Sequence, residues 1–249
     1  MLSSGAWCLQ SDHGLPASRR ACGRFGGCAH VYAGLQGSYE LPAGHVAADG
    51  PIIQVLLNLL RRGSHYLSVN DFGAGVGQYG QALLKADGAI RYRGYDGAGN
   101  VENWTRGFVE WADLTSELAL PPADWVLSLE VGEHIPHKYE SRYFANLHAH
   151  NLCGVILSWA KLGQPGSHHV NNHGSEYIRS VMTSLGYSRN EELTEQISLG
   201  HSSTDLNRSL IATRWQRRWK PLLPWFRYGT VMVFERIQPL SGGCALRSE

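Results

Sequence analysis

Apolar residues recur at helical spacing in "IIQVLLNLLRR" (52–62), and Pro51 stands just ahead, where a first-turn proline suits a helix. "HYLSVNDFG" (65–73) then reads as a buried strand, and the glycine turn behind it opens a helix reaching about Ala86. "AIRYRGYDG" predicts a second strand ending at Asp96, "GFVEWADL" a third and "DWVLSLE" a fourth. A helix over "ESRYFANLHAHN" follows, then the strand "GVILSWA", a loop rich in Gly, His and Asn, and the helix "SEYIRSVMTSLG". A helix over "TDLNRSLIATRWQRRWKPLL", ended by Pro221 and Pro224, and the strand "GTVMVFERI" complete the pattern. Strands alternating with helices at this spacing predict an α/β fold, a mostly parallel sheet with helices on both faces.

Length changes the picture little: 249 residues at 43% hydrophobic content bury a full core. With no repeat or linker, the expected division is an N-terminal cap over 1–47, one domain over 48–238 and a flexible tail over 239–249. A net charge of +1 sets up no global pull toward nucleic acid or membrane. No apolar run approaches the roughly 18 residues that a spanning helix needs. Five cysteines (Cys8, Cys22, Cys28, Cys153 and Cys244), odd in number and without a CxxC pair, read as free thiols in a reducing compartment. The expected location is therefore cytoplasmic. Arg19, Arg20 and Arg24 against the one acid Asp12 keep an organelle transit peptide as the alternative.

The chemistry gathers at "NDFGAGVGQYG". Four glycines fall within eight positions, directly after a strand and before a helix, where a ligand can approach the backbone and meet a helix N-terminus. Gly75, Gly77 and Gly80 also satisfy the GxGxxG of dinucleotide enzymes. Asp71 argues otherwise, because a carboxylate there repels a pyrophosphate and attracts a cationic ligand.

Asp71-Phe72-Gly73-Ala74-Gly75-Val76-Gly77 resembles the first motif of the class I S-adenosylmethionine (SAM) methyltransferases. Asp96 stands where that family places the acid for both ribose hydroxyls, Ala112-Asp113-Leu114 where an acid contacts the adenine amino group, and "DWVLSLEVGEHIP" matches its fourth strand and following turn. The resemblance covers roughly residues 48–238 and implies a Rossmann-like seven-stranded sheet, SAM as cofactor and methyl transfer as activity. It assigns the cofactor to Asp71, Gly73, Ala74, Gly75, Gly77, Tyr79, Asp96, Gly97, Asp113, Leu114 and Glu130.

For the acceptor end, Glu130, Glu133 and His134 form E-x-x-E-H after the fourth strand, and His168, His169 and His173 lie in the loop after the fifth. Two Glu and two His from these segments suit a divalent ion, with Glu130, Glu133, His134 and His169 as the ligand set and His168 the next choice. The arrangement resembles that of the small-RNA terminal 2'-O-methyltransferases, and the turn also that of ubiquinone-pathway O-methyltransferases. The later His here lies in a Gly-rich loop rather than a longer insertion, and the same turn occurs in metal-free relatives. The alternative is a metal-free pocket with Glu133, His134 or His169 in the catalytic role and an imidazole as base. "SWA..GQ.G..HVN" after "LSLEVGEHIP..YE" is also similar to a group of uncharacterised methyltransferase-like proteins.

Other features have plain readings. In "RWQRRWK" (214–220), Trp215 and Trp219 share one helical face and the arginines another, as on an amphipathic surface helix. His148 and His150 read as surface residues, Tyr139, Tyr143 and Trp159 as packing. Cys22 and Cys28 with His30 match no common zinc module. "GSYELPAGHV", with Tyr39 and His45, is a candidate lid. Three functions follow: a methyltransferase acting on oxygen or nitrogen of a small molecule, a metal-dependent RNA 2'-O-methyltransferase, and a non-catalytic SAM-binding protein. A membrane partner is not expected.

Overall fold

The computed structural model describes residues 48–61, 68–99, 101–166, 169–200, 229–240 and 244. Helix α1 (Gly50–Leu60) starts on Asp49, whose carboxylate accepts from Ile52 N at 3.1 Å. Next come β1 (Ser68–Phe72), α2 (Gln78–Ala86), β2 (Arg91–Asp96), the short α3 (Val101–Thr105) and β3 (Val109–Trp111). Then follow β4 (Ala123–Ser128), a 3-10 turn (Gly132–His134), α4 (His137–Ala149) and β5 (Asn151–Ser158). The chain closes with α5 (Ser175–Ser184), β6 (Tyr187–Arg189), α6 (Glu191–Gly200) and β7 (Val231–Arg236).

One seven-stranded sheet has the order β3-β2-β1-β4-β5-β7-β6. Strands β1 to β5 pair in parallel, and β7 runs antiparallel between β5 and β6. The expected mostly parallel α/β sheet is therefore present. Its chain path builds outward from β1 through β2 to β3, then returns to place β4 on the other side of β1. That reversal opens a crevice beyond the carboxyl ends of β1 and β4, where open α/β sheets bind ligands.

Two apolar clusters lie on the two faces of the sheet. Trp125 and Leu127 of β4 join α1, α2 and α6 on one face, while Val126 joins Phe144 and Leu147 of α4 on the other. This alternation is the period-two consequence of a strand buried on both sides. Tyr143 and Trp159 are buried in the second cluster as expected for packing, Trp159 stacking on Phe144 with centroids 5.4 Å apart. Tyr139 packs at its edge.

Three expectations need correction or addition. Cys153 and Cys244 are not free thiols: they form a disulfide, joining β5 to the tail across 91 positions of sequence. The odd count hid this, because one pair among five is as compatible with the total as none. Leu240 N also donates to Leu152 O at 2.9 Å, so the tail has two attachments to β5. His150 is not a surface residue either. It is buried, with Nδ1 against Asn146 O at 2.7 Å and Nε2 accepting from Leu120 N at 3.2 Å. His148 is half-buried against the Tyr187 hydroxyl at 3.2 Å, because β6, too short to be seen in the sequence pattern, brings Tyr187 over the end of α4. The amphipathic helix at 214–220, the candidate lid with Tyr39 and His45, and Cys8, Cys22, Cys28 and His30 lie outside the described residues.

Candidate functional site

The turn after β1 has a left-handed backbone at three alternate positions, φ being 79° at Gly73, 58° at Gly75 and 78° at Gly77. Glycine is the residue that adopts this conformation without a steric cost. At Gly73 space adds a second reason, since a Cβ would come within 2.2 Å of Val131 Cγ2. That contact also shows that the turns after β1 and β4 touch. The Gly73 and Ala74 amides donate to Tyr95 O at 2.8 and 3.0 Å, which ties the turn to β2. Helix α2 begins at Gly77 with no side-chain cap.

Asp71 is buried, and its Oδ2 accepts from the Tyr92 hydroxyl at 2.9 Å. Desolvation pushes its pKa up to about 7, with the nearby Asp96 adding to the rise and the Tyr92 bond opposing it. Asp96, half-buried at the end of β2, accepts from Gly75 N through Oδ2 and from Ala98 N through Oδ1, both at 2.8 Å. Burial raises its pKa to about 6 against those two bonds. Tyr79 is buried, and burial, then the charges of Asp49, Asp71 and Glu130, push its pKa well above the ordinary value, the Asp49 backbone opposing. Gly97 is exposed beside Asp96. The Asp113 carboxylate is engaged by Thr115 N at 2.9 Å, Thr115 Oγ1 at 2.7 Å and Ser116 Oγ at 3.0 Å, and Leu114 points into the core. Asp113 thus shapes the turn after β3, two residues beyond Trp111, which is the partner of Asp96 in the β2–β3 pair.

At the acceptor end, Glu130 takes a left-handed backbone, φ 57°, unusual for a residue with a side chain. Ser158 at the end of β5 stabilises it twice: Ser158 Oγ accepts from Glu130 N at 2.7 Å and donates to Glu130 Oε1 at 2.7 Å. Glu133 is fully buried, and neither carboxyl oxygen has a partner among the described residues. Desolvation, then the charge of Glu130, pushes its pKa well above the carboxylate range, against a smaller opposing pull from the backbone of Glu133 itself and of Ala160. His134 and His169 meet edge to face with centroids 5.0 Å apart, and one ligand atom each from Glu133, His134 and His169 lies within 4.8 Å of the others. His169 Nδ1 is buried without a partner. Burial holds the imidazole below its ordinary pKa, a hydrogen bond to the Gln164 backbone opposing. Gly166 is what leaves room for the ring, since a Cβ there would sit 2.0 Å from His169 Nε2.

Of the four expected metal ligands, Glu133, His134 and His169 gather, while Glu130 belongs to the Ser158 pair and stands outside that group. His168 lies outside the described residues, and His173 is turned toward Glu140 instead, at 2.7 Å. Sequence reasoning missed Tyr92, Ser158, Gly166 and Glu140. Tyr92, between Arg91 and Arg93, and Ser158, between Leu157 and Trp159, look like ordinary strand residues. Glu140, in "YE" after "EHIP", was a visible but uninterpreted signal.

Among the described residues, no ion pair reaches Asp71, Asp96 or Glu133. No protein-family model and no curated protein matches the chain. Solved structures do. The magnesium protoporphyrin IX methyltransferase of Synechocystis PCC 6803 with bound SAH is 21% identical, over 56% of this chain and 74% of that one, with a TM-score of 0.45. An O-methyltransferase family protein from Burkholderia thailandensis is 12% identical over 77% of this chain and 56% of its own, with a TM-score of 0.49. A putative sarcosine dimethylglycine methyltransferase from Galdieria sulphuraria is 12% identical over 73% and 80%, with a TM-score of 0.46. What the crevice can bind is set by the side chains described above.

Proposed function

We propose that this chain is a SAM-dependent methyltransferase acting on an oxygen or nitrogen of a small-molecule acceptor. The observation that carries the reading is the acidic pair at the β1–β4 switch point: Asp71 and Asp96, with raised pKa values and no cationic partner among the described residues, flank a turn of three left-handed glycines. A buried and a half-buried carboxyl with no counter-charge among the described residues suit a ligand that brings one. Bound SAM supplies a methyl on a sulfonium, and an amino-acid part that carries an ammonium.

The chain's own residues bind, orient and accept a proton. Asp71 and the Gly73–Gly77 backbone face the amino-acid part, whose carboxylate suits the uncapped first turn of α2. Asp96 has lone pairs left for ribose hydroxyls after its two backbone bonds. Held there, SAM would supply its methyl to an acceptor placed in line, the carbon–sulfur bond giving its electron pair back to sulfur as the acceptor–carbon bond forms. The acceptor's proton goes to a base, and His169, its imidazole held below the ordinary pKa by burial, or His134 beside it fits that role.

Calorimetry with SAM and with S-adenosylhomocysteine tests this. Binding is expected to tighten from pH 5 to pH 8, because a cation favours ionised Asp71 and Asp96. The trend should be steeper for SAM, which bears the extra sulfonium charge. Uptake of neither compound, with good binding of a nicotinamide nucleotide, would overturn the proposal.

A second reading is favoured by the orphaned Glu133 oxygens and unpartnered His169 Nδ1: a divalent ion held by Glu133, His134 and His169. One carboxylate and two imidazoles suit zinc or manganese, and such an ion would draw an acceptor hydroxyl toward ionisation. Titration of Mn2+ or Zn2+ into chelator-treated protein is expected to show one ion per chain, weakened at least tenfold by Glu133→Gln. No uptake by the unmodified chain would leave the imidazoles as metal-free base.

A further inference from the structure

Glu140, in the first turn of α4, is buried apart from 5% of its surface. Its Oε2 accepts from Asn171 Nδ2 at 2.6 Å and meets His173 Nε2 at 2.7 Å, while its Oε1 accepts from the Tyr177 hydroxyl. His137 Nδ1 lies 3.7 Å from the same Oε2. All three close partners come from the stretch just after His169. The His173 and Tyr177 rings also stack, with centroids 4.0 Å apart, which braces two of the donors against each other.

The stretch has further fastenings on its other side. Val170 N and Asn171 N donate to Glu133 O at 2.9 and 3.0 Å, Trp159 Nε1 donates to Asn171 O at 2.6 Å, and His173 N donates to Ala160 O at 3.1 Å. The loop that carries His169 is thus suspended between the Glu133 carbonyl and the Glu140 carboxylate. Glu140 follows the Glu130–His134 turn by six residues, so one continuous segment fixes both the Glu133–His134 pair and the loop that must meet it.

We propose that Glu140 is the positioning residue of the acceptor end: as an anion it anchors Asn171, His173 and Tyr177 and thereby sets the His169 imidazole beside Glu133 and His134. The inference rests on reading those three groups as the acceptor end, and it concerns Glu140 alone. A carboxylate is required because two side chains donate to one oxygen while a hydroxyl donates to the other. A glutamine amide can accept on one side only and presents a donor on the other. The bonds from Tyr177, Asn171 and His173 hold the carboxyl below its ordinary pKa despite burial, as an anchoring anion requires.

The test follows ring signals of isotope-labelled histidines by NMR at one fixed pH, in the full chain and in Glu140→Gln. The expected result is a changed position of the His169 ring signals and a weakened ring-to-ring contact with His134, with S-adenosylhomocysteine affinity, measured separately, held within about twofold. Tyr177→Phe, which removes only the donor to Oε1, should move the same signals in the same direction by less. Glu140→Asp, which keeps the charge, should recover part of the change. Unaltered His169 ring signals and an unaltered contact with His134 in folded Glu140→Gln would overturn the proposal. Should that variant fail to fold, unaltered signals in Tyr177→Phe would overturn it equally. Absence of S-adenosylhomocysteine binding in the unmodified chain would count against the cofactor reading and leave the NMR outcome to decide Glu140.

Discussion

Asp71→Asn is expected to raise the melting temperature of the ligand-free protein at pH 8 while lowering its affinity for SAM at least tenfold. Both halves have one cause, a carboxyl that is 3% exposed and whose pKa stands near 7 rather than 3.8. A folded-state pKa raised above the unfolded value means that the native state holds the proton more tightly. Its stabilising effect is complete below about pH 4 and is lost as pH rises through about 7, where the buried group ionises. Asparagine keeps an acceptor for the Tyr92 hydroxyl and never ionises. The gap between variant and parent should therefore be small at pH 4 and grow to several degrees at pH 8, at about 2–4 °C per kcal/mol for a domain of this size. The lost affinity is the lost attraction for a cation in a site screened from water. Thermal scans at both pH values and calorimetry with SAM check the two halves together. A lower melting temperature at pH 8, or unchanged SAM affinity, would contradict this account of the residue.

Asp96→Ala carries the second large effect, a loss of S-adenosylhomocysteine affinity of about a hundredfold. Hydrogen bonds to a charged acceptor contribute about 1.5–3 kcal/mol each. Here the carboxylate has two tasks. It accepts from Gly75 N and Ala98 N, holding the glycine turn against the end of β2, and it has lone pairs for the ribose. Alanine removes the ribose acceptor and leaves both amides without their partner. Asp96→Asn separates the tasks, since one amide oxygen can still accept from the turn but charge and the second acceptor are gone; its loss should be intermediate. Calorimetry with the demethylated product reads both variants, and affinity equal to the parent's in Asp96→Ala would remove Asp96 from the ribose site.

Much of this was legible before the chain was folded. The buried strands, the glycine turn and the acids at 71 and 96 depend on local rules: a run of apolar residues of strand length, glycines where φ must be positive, a carboxylate at a strand end. The E-x-x-E-H turn was legible for the same reason. Its division of labour was not, because Glu130 is drawn into the Ser158 pair from 28 positions away while the Glu133 carboxyl has no side-chain partner among the described residues. The three-residue β6 and the helices α3 and α6 were missed: two are shorter than any reliable period, and α6 lies where Glu and Gln dilute the apolar signal.

What the sequence determined by itself is the set of elements and the chemistry available at their ends, since backbone propensity and side-chain identity are properties of neighbouring residues. The tertiary structure alone decided which ends meet. The contact of Gly73 with Val131, the disulfide from Cys153 to Cys244, the burial of His150 and the suspension of the His169 loop from Glu140 all join residues 30 or more positions apart. Such pairings are fixed by the order in which strands enter the sheet, and that order is settled by the packing of whole elements against one another rather than by any short stretch of chain.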